Sequence, residues 1–453
     1  MEKLNKFKSK KLLIILAVVL FIAVSYLSWF LILEYKVHSR ECEIRNAGYP
    51  SSPEELEEWY VEPPTGQNAA MLYLEAFKKF KGRPENVDEK DMVIFGSAQI
   101  PPPGTSLSED LLKNAKEFLL ANAEALGLIH KAAALDACRF PVEIKDPERS
   151  LAYLSKLRQV AKLLQLEALV CAVEGDNAKA FEAVIDSCRI ASSLDDEPLL
   201  DSFIVQMALQ HMGLDNSERI IARGGLDEKQ LKLLCQEIIR FEDMKPLGRA
   251  YAGERSLVLS EYYLEEFMEY AVYDFPGFVR KSPFLKKTVF FLFDVTCLRQ
   301  VNNISCIGML SELIDLANEK PENIMVGMNK IDERIKHLPC YLFAARIYMP
   351  HLCSIADKKI LLVSRARVMR VAAAVEAYRM KNGKLPEDSS LLVPEYMASI
   401  PVDPLDGKTV HYKKTEKGFI AYGSGADGQD DDGNSGANNG FSKGEDFSVR
   451  IER

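Results

Sequence analysis

A mainly α-helical protein, held in a membrane by one N-terminal helix and ending in a small α+β unit, is what this 453-residue sequence predicts. Three observations carry that expectation. A charge-free apolar run fills 12–33, amphipathic segments with very short connections fill most of the middle, and after Asn382-Gly383 the pattern turns to prolines, glycines and short alternating stretches. The expected division is a basic cytoplasmic tail (1–11), a transmembrane signal-anchor (12–33), stalk and linker helices (34–104), a domain of stacked helical hairpins (105–350) and an α+β domain (351–453).

Residues 12–33 reach roughly 33 Å as a helix, enough for a hydrocarbon core of about 30 Å. Lys3, Lys6, Lys8, Lys10 and Lys11 precede them, so the positive-inside rule keeps the N-terminus in the cytoplasm and sends the bulk to the periplasm. A cleaved signal peptide fits less well. The apolar run is too long, and WFLILEYK after it lacks a small-x-small cleavage pattern. The chain carries 57 Lys and Arg against 66 Asp and Glu, a formal charge of -9, which argues against a nucleic-acid partner because phosphate contacts need a basic face. The partners expected are the cytoplasmic membrane, through one helix, and other proteins.

Nine cysteines are scattered singly, without the Cys-x-x-Cys spacing of zinc or redox sites. Cys171 and Cys188 flank the turn Gly175-Asp176, but their heights above it differ by roughly 12 Å, beyond the ~7 Å a disulfide spans between Cα atoms. Most read as small buried apolar residues.

Along the chain, Glu34 to Tyr49 extends the membrane helix as a stalk. Ser52, Pro53 and Glu55 mark a helix start, as N-cap, first helical residue and capping partner. A second helix covers 69–80 with Leu72, Ala76, Phe77 and Phe80 on one side, and 81–104, with Pro101-Pro102-Pro103, reads as a surface loop. From Ser106 to Phe241 helices follow at about 151–173, 178–194, 199–223 and 227–241, joined by EGDN, DDEP and GG. Short loops between amphipathic helices make antiparallel neighbours, hence stacked hairpins. An aromatic-rich helix is expected over 256–270. PGFVRKSPFLKKTVFFLFDVTCL then joins Arg280, Lys281, Lys286 and Lys287 to Phe290, Phe291 and Phe293. It reads either as a membrane-surface segment or, the commoner arrangement for an apolar run this short, as a buried core helix. Helices at 303–319 and 321–337 lead through Pro339 and Pro350 into a long helix ending at Asn382, with Gly383 as its cap and Pro386 beyond.

The C-terminal stretch has a specific order: ARVMRVAAAVEAYRMKNGKLP, then LLVPEYMASIPVDPLDGKTVHYKK, then GFIAYGSGADGQDDDGN. A helix gives way to a proline-containing loop, strands around 409–412 and 418–422, and an acidic glycine-rich loop before the alternating FSVRI. This resembles the C-terminal half of the major pseudopilin of bacterial type II secretion, whose pattern runs A-x-x-A-Y-x-x-x-N-G-x-x-P, L-V-P-x-Y, P-x-D-P, hairpin and G-A-D-G with aspartates. Over its full length, with NAGYPSSPEELEEWY near the start, the chain is also similar to membrane-anchored proteins of planctomycete-type bacteria, which implies no activity. The membrane segment, KSKKLLIILAVVLF, lacks the Gly and Glu of a pseudopilin processing site. The resemblance therefore implies a pseudopilin-like module rather than a pseudopilus subunit.

It also implies calcium in the acidic loop. Calcium takes six to eight oxygens, and Asp427, Asp430, Asp431 and Asp432 supply carboxylates, with Ser424, Gly428 and Asn434 curving the backbone and Glu445 or Asp446 available to close the shell. The loop is not an EF-hand: counted from Asp430, Ser435 takes the sixth place and Phe441 the twelfth. Elsewhere the chemistry is sparse. His38, His130, His211, His337, His351 and His411 lie far apart, and no His-Glu-x-x-His, Gly-x-Ser-x-Gly or phosphate-binding loop occurs. These features predict a non-enzymatic binding or scaffold protein. The other readings are a secretion-related subunit, or a periplasmic enzyme whose site would be a polar pocket between helical array and C-terminal module.

Overall fold

The computed structural model describes residues 2–85, 87–102, 105–144, 151–258, 282–425, 427–434 and 446–452. The first helix, α1 (Glu2–Asn46), runs unbroken through the apolar stretch and the stalk. It is long and apolar enough to cross a membrane, and most side chains of its apolar part are exposed, Leu33 at its end being buried. The next helix, α2 (Pro53–Trp59), starts as the sequence predicts. Ser52 Oγ accepts from the Glu55 amide at 3.2 Å, and Glu55 reaches back to the Ser51 amide and across to Arg45.

In α3 (Ala69–Lys79) the buried face is centred on Tyr73, Ala76 and Phe77, and Leu72 and Phe80 are only partly covered. The expected surface loop after it is packed rather than free. Met92 and Val93 are fully buried, and a Cβ on Gly96 would lie 2.1 Å from the Glu89 carbonyl oxygen, so the loop closes backbone on backbone where only glycine fits.

The hairpin array comprises α4 (Glu109–Ala121), α5 (Ala123–Ala133), α6 (Ala152–Glu174), α7 (Asn177–Ser192), α8 (Leu200–Arg223), α9 (Glu228–Ile239) and α10 (Lys245–Val258). Sequential neighbours α6, α7 and α8 pack on one another, as connections this short require. Gly175, in the left-handed conformation, ends α6, and the Asp176 side chain caps α7 by accepting from the Lys179 amide. The helix expected over 256–270 lies largely outside the described residues.

Three further helices, α11 (Pro283–Val295), α12 (Leu298–Ala317) and α13 (Pro321–Lys336), precede the 40-residue α14 (Phe343–Asn382). This last helix begins before Pro350, which sits inside it, and ends at Gly383 with φ 67°. Its first part, up to Val363, belongs to one apolar core shared with α10, α12 and α13. The second, from Leu362, belongs to a larger core shared with the hairpin array and the sheet. From Leu362 to Ala377 it is buried on nearly every side.

The sheet has three antiparallel strands in the order β1 (His411–Lys414), β2 (Gly418–Gly423), β3 (Phe447–Glu452). Tyr412 pairs with Ala421, and Ala421 with Val449. β2 and β3 lie on α14, and β3 also touches α8. All nine cysteines are free thiols. Cys188, Cys297, Cys306 and Cys353 are buried and Cys340 is exposed.

Two glycines separate packing from propensity. A Cβ on Gly253 in α10 would fall 1.8 Å from the Pro198 carbonyl oxygen, whereas on Gly308 in α12 it would meet nothing within 4 Å. Gly253→Ala is expected to lower stability by ~1–3 kcal/mol or more, and Gly308→Ala to raise it by about 0.5–1 kcal/mol. Denaturant unfolding of the detergent-solubilised chain checks both.

Candidate functional site

The acidic loop leaves β2 at Ser424, and its foundation is the turn between Pro401 and Gly407. Buried Asp403 accepts from the Ser424 amide through Oδ2 at 2.9 Å and from the Leu405 amide through Oδ1 at 3.0 Å, while Asp406 accepts from the Ser424 hydroxyl at 2.7 Å. A Cβ on Gly423 would lie 2.3 Å from Asp403 Oδ2, so glycine there is a condition of this clamp. The second foundation is Asp446, just before β3 and fully buried. Its Oδ2 accepts from the amides of Asp431 and Gly433, at 2.9 and 2.8 Å.

Asp427, Asp430, Asp431 and Asp432 are all exposed. Asp427 and Asp430 accept from backbone amides two residues on, Asp432 sits at φ 61° with its carboxylate 3.3 Å from Lys413 Nζ, and Asp430 lies 3.9 Å from His411 Nε2. Among the described residues no three His, Cys, Asp or Glu side chains already form a metal-ready group. Ala426 and residues 435–445, including Glu445, lie outside the described residues. The donor set is nonetheless suited to a hard cation. Asp446 Oδ1 is buried with no hydrogen-bond partner among the described residues, and burial, with the nearby charges of Asp430 and Asp431, pushes its carboxyl above the usual range.

Sequence reasoning missed a second feature, a polar cleft of about 500 Å³ beside the exit of α1. Tyr49, directly after α1, and Trp59 of α2 form one wall; Asp195, Asp196, Arg240 and Arg249 form another. The Arg249 guanidinium stacks on the Trp59 ring at 4.1 Å and donates to the Asp196 carbonyl. A smaller cavity of about 150 Å³ shares Asp136, Cys138, Ser192 and Arg240 with it and reaches Tyr73 and Glu237. The residues come from α2, α3, α5, α7, α9 and α10 and from the loops at 134–138, 193–199 and 240–245. No spacing in the sequence unites them, and only the charged DDEP connection hinted at them.

Charged groups continue from the cleft wall into the protein behind it. Burial raises Asp195 to about 6, opposed by Arg240, whose guanidinium is 3.5 Å away. Behind it the fully buried Lys359 ammonium donates to the Phe241 carbonyl at 2.8 Å and to Gln210 at 3.3 Å, and burial lowers it to about 8. Glu197, buried and pushed up by desolvation, accepts from Tyr60, Tyr153 and Ser202. These groups are satisfied within the protein, so the accessible chemistry is a surface of mixed charge with an aromatic platform.

The region between the helical array and the C-terminal module holds a cavity of about 310 Å³ reaching Asp227, Glu376 and Arg379. Both carboxylates are engaged: Asp227 caps α9 through the Gln230 amide at 2.8 Å, and Glu376 pairs with Arg379 at 2.8 Å. Histidine chemistry lies elsewhere. His130 of α5 bridges Asp186 at 2.6 Å and Glu167 at 3.0 Å, which raise it to about 10, and half-buried His211, beside Arg365, is lowered to about 3 chiefly by desolvation.

His130 ties α5, beside the cleft, to α6 and α7. Its folded-state pKa is raised, so its stabilisation is complete below about 6.5 and is lost as pH climbs through about 10. The stability gap between wild type and His130→Gln, measured by denaturant unfolding, should therefore be largest at mildly acidic pH and shrink toward the top of that window. No family model, curated protein or solved structure matches the chain.

Proposed function

We propose that the protein is a membrane-anchored, extracytoplasmic binding or scaffold protein, held in the cytoplasmic membrane by residues 12–33 with its bulk in the periplasm. The observation that carries this reading is mechanical continuity. α1 packs on α12, α12 on α14, and α14 on the sheet, so the cleft and the C-terminal module are fixed relative to the anchor rather than tethered by a flexible linker. Tyr49 lies sixteen residues beyond Leu33, roughly 24 Å along a helix, which sets the cleft at the height of a juxtamembrane segment of another protein.

The cleft suits a polar polypeptide segment. Arg240 and Arg249 offer cations, Asp136, Asp196 and Asp243 offer anions, and the Trp59–Arg249 stack offers a flat apolar face. A photo-crosslinking amino acid at exposed Asp136, used in intact cells, is expected to yield a discrete protein adduct. Trp59→Ala with Arg249→Ala should reduce that adduct at least several-fold. An adduct indifferent to the double variant, or none, rejects the cleft as the recruiting surface.

The C-terminal module is proposed to be pseudopilin-like and calcium-stabilised, with Asp446, Asp430 and Asp431 as the oxygen donors nearest to one another and Asp427 and Asp432 at the loop's edge. The buried, unpartnered oxygen of Asp446 supports this assignment. Calcium binding only the folded state would stabilise by about 2.7 kcal/mol at a hundredfold excess over Kd. Calcium titration of the full chain in detergent should raise Tm, and Asp430→Ala with Asp446→Ala should remove the calcium-dependent rise. A wild-type Tm indifferent to calcium makes the loop a solvated turn.

A further inference from the structure

For α11 the sequence left two readings open, a membrane-surface segment or, the commoner arrangement, a buried core helix. Among its described side chains Phe284, Phe291 and Val295 are 76, 64 and 42% exposed, while Phe293, on the opposite face, is buried with its ring 5.3 Å from that of Phe343. Next to Phe343 at the same end of the molecule, Tyr341 and Ile347 are also exposed. Five large apolar side chains gathered at one end of the molecule are more than a monomer in water usually leaves uncovered.

The position of this end relative to α1 says what covers it. α12 runs alongside the stalk in parallel, with Gln300 Nε2 donating to Glu34 at 2.9 Å and Asn318 donating to the Tyr49 hydroxyl at 3.3 Å. Going the other way, the Cys297 thiol at the start of α12 meets the Tyr26 hydroxyl, within the apolar part of α1. Tyr26 lies seven residues before Leu33, roughly 10 Å inside the edge of the apolar run. The junction between α11 and α12 is thereby held roughly that far below the outer edge of the hydrocarbon layer, at the deep end of the about 5–10 Å that an interfacial helix reaches. Cys297, at φ 61° and fully buried, makes the turn that directs α11 away from α12. Exposed Lys287 and Arg346 supply cations beside the apolar side chains, the combination found in helices that lie in a bilayer interface.

We propose that α11 is a second membrane contact, an interfacial helix that buries Phe284, Phe291 and Val295 in the leaflet on the side of the folded bulk, next to α1. This rests on the reading of α1 as a membrane helix. It also sets the orientation of the whole array: with two points of attachment the protein cannot pivot freely about α1, and the cleft faces a fixed direction along the membrane surface.

Tryptophan quenching by brominated lipids tests it in the full chain, reconstituted into mixed phosphatidylcholine–phosphatidylglycerol vesicles. Trp29 and Trp59 are the two tryptophans in the sequence, and Trp29 lies in α1. With Trp59→Phe alone, Trp29 reports insertion of the anchor. In a second protein carrying Trp29→Phe, Trp59→Phe and Phe291→Trp, the new indole reports α11. Phe284→Trp serves in the same background if the first substitution impairs folding.

Quenching of the α11 indole to an extent comparable with Trp29, and stronger with bromine near the headgroup than deep in the chain, is expected. Trp29 quenched with the α11 indole unquenched overturns the proposal and leaves that face for another protein or a second copy of the chain. Neither quenched overturns the anchor itself, and the proposal with it.

Discussion

α14 can be surrounded by protein on all sides only because its charges meet partners as they are buried. Arg365 reaches Asp215 and lies 4.9 Å over the Phe447 ring; Arg367 bonds Glu242 and Glu322; Arg370 also takes Glu242. Removing an arginine from water without such partners would cost several kcal/mol. Each partner comes from a different layer: Asp215 from α8, Glu242 from the turn after α9, Glu322 from α13 and Phe447 from β3. The pairing thus fixes where the hairpin array, the α12–α13 pair and the sheet sit along one helix. The two apolar cores meet on α14 near Leu362 and Val363 and share it as a common wall.

The same continuity runs down to the first helix. α12 touches α14 on one side and α1 on the other, so this 45-residue helix, long and apolar enough to cross a membrane, is also an extension of the fold. A cleft lined by charged residues is held beside the end of that helix. Beside it, half-buried Asp195 and behind it buried Lys359 and Glu197 hydrogen-bond within the protein and hold the loops at 193–199 and 240–245 in one arrangement.

At the other end, the acidic loop is held by two buried aspartates that point at backbone amides, Asp403 at its start and Asp446 at its finish. The four aspartates between them are carried on this frame rather than part of it. Asp446 keeps one buried oxygen without a hydrogen-bond partner among the described residues, and burial with the charges of Asp430 and Asp431 pushes its carboxyl above the usual range. His411, stacked on Tyr422 with ring centroids 4.9 Å apart, lies beside Asp430, and Lys413 on β1 pairs with Asp432.

The local signals in the sequence determined much of this protein. The charge-free run specified α1, Ser52 and Asp176 specified helix starts, Gly175 and Asn382-Gly383 specified ends, and short connectors specified hairpins, because each depends on backbone groups only a few residues away. Side-chain destinations were legible where period and burial agree, as at Ala76 and Phe77 of α3. Tertiary structure alone decided the rest. The basic and aromatic residues of α11 left a core helix and a membrane-surface segment both open, and only the fold shows Phe284 and Phe291 uncovered. Likewise the cleft draws its walls from segments nearly two hundred residues apart, and Asp446, rather than the aspartates that dominate the motif, proved to be the buried member of the acidic loop. Such groupings follow from which surfaces the chain can cover at once, a property of the whole fold that no stretch of residues contains.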